Sequence, residues 1–330
     1  MTKHLVLGAT GYVGLHVVDA LLEAGLPVRG ARRTGSNTMG LRRRGVEMAH
    51  ASLDDVGSLV AAMEGCDVVH HAAGHYPRYS LDPEGSVARA RSEAENVLRA
   101  CLDAGVRRLV YTSSTALLDP APSLRAADER DVGPEMPTES TYRQVKWAME
   151  RILASGEEPR LEVVSLLPSG CIGPGDVRLG TGGIFVAVIR RELPWYVDGH
   201  VQLVDVRDVA RAHARASSGD VPSGRYCLGG HGQRLSMLLE RVVERYGGAM
   251  PARRLSPSCA RLFADEEERE ASTTRARVSF PRELVDIVTA GQPIASDRAR
   301  RVLGFSARPL EESLDDAHAW FRRHGYVPAR

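Results

Sequence analysis

Along the first half of the chain, apolar residues fall into two alternating rhythms. Short apolar runs of strand length occupy 4–7, 27–31, 46–49, 67–71, 109–112 and 161–167. Between them, at 12–24, 55–63, 83–104 and 140–155, apolar positions recur three and four apart, the spacing of an amphipathic helix. Gly25, Gly65 and Gly105 stand just past three of these helices, where a residue without Cβ ends a helix readily. Alternating strand and helix of this length predicts an α/β fold with a doubly wound parallel sheet. The ligand of such a sheet lies at the carboxyl ends of its strands.

After Pro168 the rhythm changes. The stretch 170–183 is glycine-rich and reads as a substrate loop, followed by a short helix at 184–191. Residues 204–216 return to the style of the first half, 225–228 form a late strand, and 235–246 and 310–324 are helical. The stretch 249–295 has no clear period, and its charged run at 265–270 reads as a solvated helix face. The expected organisation is therefore interleaved. A nucleotide-binding domain takes 1–168 plus about 198–229, and a smaller C-terminal substrate lobe takes 169–197 and 230–330.

Composition narrows the function. The 330 residues carry 43 basic and 42 acidic side chains, a net charge of +1, so no overall field would hold a nucleic acid or an anionic membrane. The absence of a long apolar run or leader predicts a cytoplasmic protein. Five cysteines without a CxxC pair read as reduced thiols, and eleven histidines without HExxH predict no metal site. Among the basic residues only Lys3 and Lys146 are lysines, which singles out Lys146 inside the chain.

Gly8-Ala9-Thr10-Gly11-Tyr12-Val13-Gly14 follows the first strand and opens the first helix. Glycines there permit a tight turn and let a pyrophosphate approach the free N–H groups of the helix start. Strand, glycine turn and helix together predict a Rossmann dinucleotide site. The second strand ends at Arg32 and Arg33, and no acid occurs between Glu23 and Glu47. An acid at that place serves the ribose hydroxyl of NAD, whereas a guanidinium suits a 2′-phosphate. The expected cofactor is NADP, with NAD as the alternative.

Tyr142-Arg143-Gln144-Val145-Lys146 is a YxxxK pattern whose spacing puts Tyr142 and Lys146 on one helix face. An ammonium beside a phenol is expected to lower the phenol's pKa and let it exchange a proton near neutrality. Upstream, Tyr111-Thr112-Ser113-Ser114 ends the fifth strand, where a serine hydroxyl can hold a substrate oxygen. Ser114 is the first choice for that role and Ser113 the second.

With these motifs in order, the chain resembles the extended short-chain dehydrogenase/reductases over nearly its whole length. More narrowly it is similar to their dihydroflavonol reductase-like and 3β-hydroxysteroid dehydrogenase-like branch, which includes the NAD-dependent epimerase/dehydratase proteins. The resemblance rests on 8–14, on His70-His71-Ala72-Ala73-Gly74, on YTSS at 111–114, on YxxxK, on Pro168-Ser169-Gly170-Cys171-Ile172-Gly173-Pro174, and on Ala317-His318-Ala319-Trp320-Phe321. It implies that Ala72, Ala73 and Gly74 line the cofactor and that Pro168 and Ser169 pass near the nicotinamide. Two departures stand out. Ala51-Ser52-Leu53 replaces the family's Gly-Asp-Leu beside the adenine, leaving Ser52 or Asp54 to serve it. Ala90 stands where many members place an Asn of the proton relay, with Asn96 nearby.

The expected activity is NADPH-dependent reduction of a ketone or aldehyde in a small, partly hydrophobic substrate. In this reading Tyr142 is the general acid, Lys146 its tuner and Ser114 the carbonyl holder. Tyr76, Tyr79, Trp195 and Tyr196 are candidate pocket walls. One alternative is a nucleotide-diphosphate-sugar epimerase or dehydratase. Against it, the positions expected to hold a diphosphate carry Gly170 and Val201, although Arg178, Arg190 or Arg191 could compensate. The other alternative is a non-catalytic NADP-binding regulator. The family also implies a homodimer through the helices near 85–104 and 140–155.

Overall fold

The computed structural model describes residues 3–75, 82–122, 125–154, 159–274, 278 and 280–328. In the first half, strand and helix alternate as β1 (His4–Leu7), α1 (Tyr12–Glu23), β2 (Val28–Arg32), α2 (Met39–Arg43), β3 (Glu47–His50), α3 (Val56–Met63), β4 (Val68–His71), α4 (Pro83–Asp103), β5 (Arg108–Thr112), α5 (Thr141–Leu153) and β6 (Glu162–Pro168). The second half adds β7 (Gly170–Ile172), α6 (Gly182–Ile189), β8 (Trp195–Val197), β9 (His200–Asp205), α7 (Val206–Ala216) and β10 (Gly224–Leu228). Beyond these come β11 (His231–Arg234), α8 (Leu235–Tyr246), β12 (Arg253–Leu255), α9 (Pro257–Thr274), α10 (Arg282–Thr289), α11 (Asp297–Leu303) and α12 (Leu310–Arg323).

The central sheet is the doubly wound one that the alternation predicts. Among the described residues its order is β3-β2-β1-β4-β5-β6-β10, with every neighbouring pair parallel. The chain winds outward from β1 to β3, returns to β4 and winds the other way. The switch between β1 and β4 opens a crevice at their carboxyl ends, where Ala72 N donates to Leu7 O at 3.0 Å. Strand side chains alternate between two cores. Leu5, Leu7, Val69, Leu109 and Tyr111 pack under α3, α4 and α5, while Val6, Val68, Val110 and Val164 pack toward α1, α7 and α11.

A further apolar core lies away from the sheet, built from α6, α8, α10, α12 and β8. The glycine-rich stretch after Pro168 is not all loop. Its first residues form β7, which pairs parallel with β9, and β9 pairs antiparallel with β11. The short α2 also lies outside the expected elements, because five residues carry too little periodicity to register. In the stretch without clear period, β12, α9 and α10 appear, and most of the charged run at 265–270 is exposed on α9. Among the described residues no helix is long and apolar enough to cross a membrane.

Candidate active site

The crevice forms where two backbones nearly touch. Gly8 has φ +83°, and a Cβ on it would lie 2.7 Å from Ala72 O. A Cβ on Gly14 would lie 2.1 Å from Gly8 O. Glycine at these places lets β1 end against β4 and lets α1 settle onto the turn between them. α1 begins at Gly11 with no side-chain cap, as do α2, α6, α8, α10, α11 and α12 at their own first residues. The first N–H donors of α1 suit an anion.

Thr10, Gly11, Tyr12 and Val13 line one continuous cleft of about 1660 Å³, together with Ser52, Leu53, Ala72, Ala73, Gly74, Thr112, Ser113, Ser114, Tyr142, Lys146, Pro168 and Ser169. Gly14 packs behind this surface. Among the described residues, the buried Ser113 Oγ, Ser169 Oγ and Tyr12 hydroxyl have no hydrogen-bond partner. An uncapped helix start, a cradle that any Cβ would fill and orphaned hydroxyls along one cleft fit a dinucleotide laid across the switch point.

At the β2–β3 end of this cleft stand Arg32, half-buried, and Arg33, exposed. Among the described residues neither guanidinium has an ion-pair partner. Arg32 also lines a side pocket of about 380 Å³ with Ser36, Thr38, Arg42 and Met48. Two guanidinium groups and two hydroxyls thus converge beside the main cleft. Sequence reading missed Ser36, Thr38 and Arg42, because they lie on a loop and a five-residue helix without periodic signal.

At the β5 end, Ser114 begins a 3-10 turn and its Oγ accepts from Ala116 N at 3.1 Å. Ser114 also hydrogen-bonds the Tyr142 hydroxyl. Ser113 also lines the cleft, but its Oγ has no partner among the described residues, and its N–H donates to Leu166 O at 2.7 Å. The Lys146 ammonium, buried on α5, donates to Thr112 O at 2.9 Å and lies 5.4 Å from the centre of the Tyr111 ring. The structure therefore gathers Ser114, Tyr142 and Lys146 at one strand end. The expected tuning of Tyr142 is corrected. Burial pushes its pKa up to about 12, outweighing the Ser114 hydrogen bond that lowers it. Burial also pulls Lys146 down to about 7.

The family model for the NAD dependent epimerase/dehydratase family matches residues 4–229, the span holding the cradle, both arginines and the Ser-Tyr-Lys group. The chain belongs to this family. It is similar over 98% of its length to a Synechocystis protein named for dihydroflavonol 4-reductase, at 31% identity and 95% coverage of that protein. It is 27% identical to sterol demethylase protein B of Methylococcus capsulatus, covering 98% of this chain and 99% of the other. Among solved structures, a nucleoside-diphosphate-sugar epimerase from Pseudomonas aeruginosa superposes with a TM-score of 0.83 at 27% identity, covering 99% of each chain. The protein is an NAD(P)-dependent enzyme of the extended short-chain dehydrogenase/reductase type.

The relay asparagine expected from the family has no counterpart at the positions considered for it. Asn96 takes no place beside Lys146, because its Nδ2 donates to Leu53 O at 2.8 Å. Ala90 is fully buried in the core under the sheet. Trp195 and Tyr196 do not wall the cleft either. Both are buried in the apolar core away from the sheet, with the Trp195 ring centre 4.9 Å from that of Phe280 and the two planes tilted by 45°. Tyr76 and Tyr79 lie outside the described residues. Of the three arginines offered as diphosphate ligands, Arg178 lines the cleft, while Arg190 is paired with Glu192 and Arg191 lies outside the lining.

Two features of the site left no sequence signal. Glu283, on α10, reaches the tip of α5: it accepts from Ser140 Oγ and, at 3.2 Å, from Tyr142 N. Burial raises its pKa. Behind Thr112 a row of buried histidines runs through the core. Thr112 Oγ1 meets His213 Nε2 at 2.9 Å, His213 Nδ1 meets His70 Nδ1 at 3.4 Å, and His70 Nε2 meets His4 Nδ1 at 3.1 Å. His71 points to the opposite face and stacks on Tyr111, as adjacent strand residues must. All of these partners are far apart in sequence, so only the folded chain assembles them.

Proposed function

We propose that this enzyme is an NADPH-dependent reductase of an uncharged, largely apolar ketone or aldehyde. The observation that carries the reading is the Ser114–Tyr142 hydroxyl pair, which faces a cleft that continues between Phe185, Leu193, Leu235, Leu238, Phe280 and Leu284. Bound NADPH supplies the hydride. Ser114 holds the substrate oxygen by hydrogen bond, and Tyr142 delivers a proton to that oxygen as it gains charge. A phenol whose pKa is pushed up to about 12 is protonated at neutral pH, the state a proton donor needs. Lys146, fixed on Thr112 O, holds its ammonium where the cofactor's ribose would lie. The names of a dihydroflavonol reductase and a sterol-processing relative are in keeping with an apolar oxygenated substrate.

Arg32, Arg33 and Arg42, with Ser36 and Thr38, support NADP over NAD, since together they offer charge-assisted donors to a 2′-phosphate. A nucleotide-sugar epimerase is the second reading. It is favoured by the likeness to the Pseudomonas structure and by Arg178 in the cleft. Gly170 and Val201 also line the cleft, yet neither offers a side-chain donor to a diphosphate. One experiment separates the readings. The protein is given NADPH with a panel of aryl and alicyclic ketones, followed by absorbance, and separately UDP- and dTDP-sugars, followed by NMR. Net NADPH oxidation on a ketone is the expected result. Epimerised sugar without NADPH oxidation on any ketone overturns it.

A further inference from the structure

The long helix α4 puts three polar side chains against the cleft end that lies beyond β3. Asn96 fixes the loop after β3 through Leu53 O. Glu93, with its side chain only 4% exposed, accepts from His75 N at 2.9 Å and from Arg89 Nε at 2.9 Å. Arg89 reaches on toward Asp54, with Nη2 at 3.7 Å from Oδ2. Arg89 lines the same cleft as Ser52, Leu53 and Asp54, with its side chain 48% exposed.

We propose that Arg89 is an adenine-binding residue whose guanidinium plane takes the purine face, and that Glu93 is the residue that positions it. This rests on the dinucleotide reading of the cleft. An ordinary exposed i,i+4 pair contributes little and needs no buried carboxylate. Here the carboxylate is buried and both its oxygens are used, one by Arg89 and one by the backbone that follows Ala72-Ala73-Gly74. Glu93 is therefore a fixed post that ties the stretch after β4 to α4 and holds Arg89 beside it. It holds Arg89 by Nε, while Nη2 reaches toward Asp54, another residue of the cleft lining. A guanidinium is planar and weakly hydrated, and it stacks on aromatic faces. Leu53, partly buried, gives that end an apolar wall. A planar cation beside an apolar wall suits a flat, neutral heterocycle. Adenine is the ring a dinucleotide brings to this end, since the catalytic hydroxyls stand at the other.

The test is calorimetric titration of wild type, Arg89→Ala, Arg89→Lys and Glu93→Gln with NADPH, NADH, 2′-phospho-ADP-ribose and reduced nicotinamide mononucleotide. Arg89→Ala should raise Kd about 3- to 30-fold for the three adenine-containing ligands and leave the mononucleotide unchanged. The NADPH-to-NADH affinity ratio should stay at its wild-type value. Arg89→Lys keeps a cation for Glu93 but no plane, so it should recover only part of the loss. Glu93→Gln should resemble a mild Arg89→Ala. Unchanged Kd in Arg89→Ala overturns the proposal, as does an equal loss for the mononucleotide. A selective loss of NADPH over NADH overturns stacking in favour of a phosphate contact. Wild type that binds neither dinucleotide overturns the underlying reading itself, a result separate from the others.

Discussion

The two ends of the cleft are built on opposite plans. At the β5 end the groups proposed for proton transfer are already held, Ser114 by Ala116 N and Tyr142, Lys146 by Thr112 O, and the tip of α5 by Glu283, while among the described residues the neighbouring Ser113 Oγ and Ser169 Oγ have no partner. Arg143 fixes the turn below Ser114, its Nε donating to Ala116 O at 2.7 Å. At the β2 end Arg32 and Arg33 have no ion-pair partner among the described residues, and Arg33 stands in solvent. The difference follows from the work proposed for each end. Proton transfer demands geometry fixed before the substrate arrives, which favours burial and saturated hydrogen bonding. Choosing between cofactors demands charge still available to an incoming phosphate, which favours exposed, unpaired cations.

The sharpest test of the catalytic end is Tyr142→Phe. The ring stays and only the proton donor is lost, so turnover should fall roughly 10²–10⁴-fold while the Kd for NADPH holds. Near wild-type turnover, with chemistry shown to be rate-limiting, would remove Tyr142 from the mechanism.

Acid should reach the same end through the histidines behind it. Burial lowers His71 and His213 to about 3, from an ordinary value near 6.5. Unfolding returns each ring to solvent, where it takes a proton that the folded state refuses. Their contribution is therefore complete above about pH 6.5 and is lost as pH falls toward the folded values. Between pH 7 and pH 5 each should cost about 2 kcal/mol, or roughly 4 kcal/mol together. Urea unfolding at a series of pH values checks this. His213→Gln should flatten the acid limb, and an unchanged limb would show that His213 is not a source of it.

How much of this could be read from the chain depends on how local each device is. The Gly8–Gly14 cradle, YxxxK and the strand-end serines are short motifs whose neighbours in sequence are neighbours in space, so their spacing alone brought them forward. Periodicity likewise exposed β1 to β6, because a buried strand and an amphipathic helix leave different rhythms. The Glu283 contact to α5 spans 141 residues and the Thr112–His213 contact 101, and no local pattern encodes either. Trp195 and Tyr196 misled for a related reason. A large aromatic in an irregular stretch suits a pocket wall or a small core equally well, and packing against Phe280 decided for the core.

The adenosine end should break under a milder change. Arg33→Ala removes a charge-assisted donor worth about 1.5–3 kcal/mol, so the Kd for NADPH should rise roughly 10- to 150-fold with NADH nearly untouched. Because Arg33 is exposed, salt should reduce the wild-type preference for NADPH, and the mutant should show less salt dependence. Equal loss for both cofactors would dissolve the contrast between the two ends.

The smallest expected effect asks whether the catalytic end is held from outside its own sheet. Glu283 belongs to α10, and its carboxylate takes a hydroxyl and a backbone N–H at the first turn of α5. It thus acts as a second cap on the helix carrying Tyr142 and Lys146, added to the Ser140 side chain that accepts from Arg143 N. A capping group is worth about 1 kcal/mol, and an anion at a helix start adds a few tenths. Glu283→Ala should therefore lower stability by about 1 kcal/mol. It should also slow turnover about fivefold, the same energy expressed on the barrier, because Tyr142 sits one residue inside the loosened turn. Glu283→Gln keeps an acceptor without the charge and should restore most of the turnover. Cofactor affinity should stay unchanged in both variants, since neither contact touches the cradle or the arginines. If the Kd for NADPH worsens as much as turnover does, Glu283 supports the whole cleft and not the tip of α5. The two ends would then share a brace that their separate contacts do not reveal.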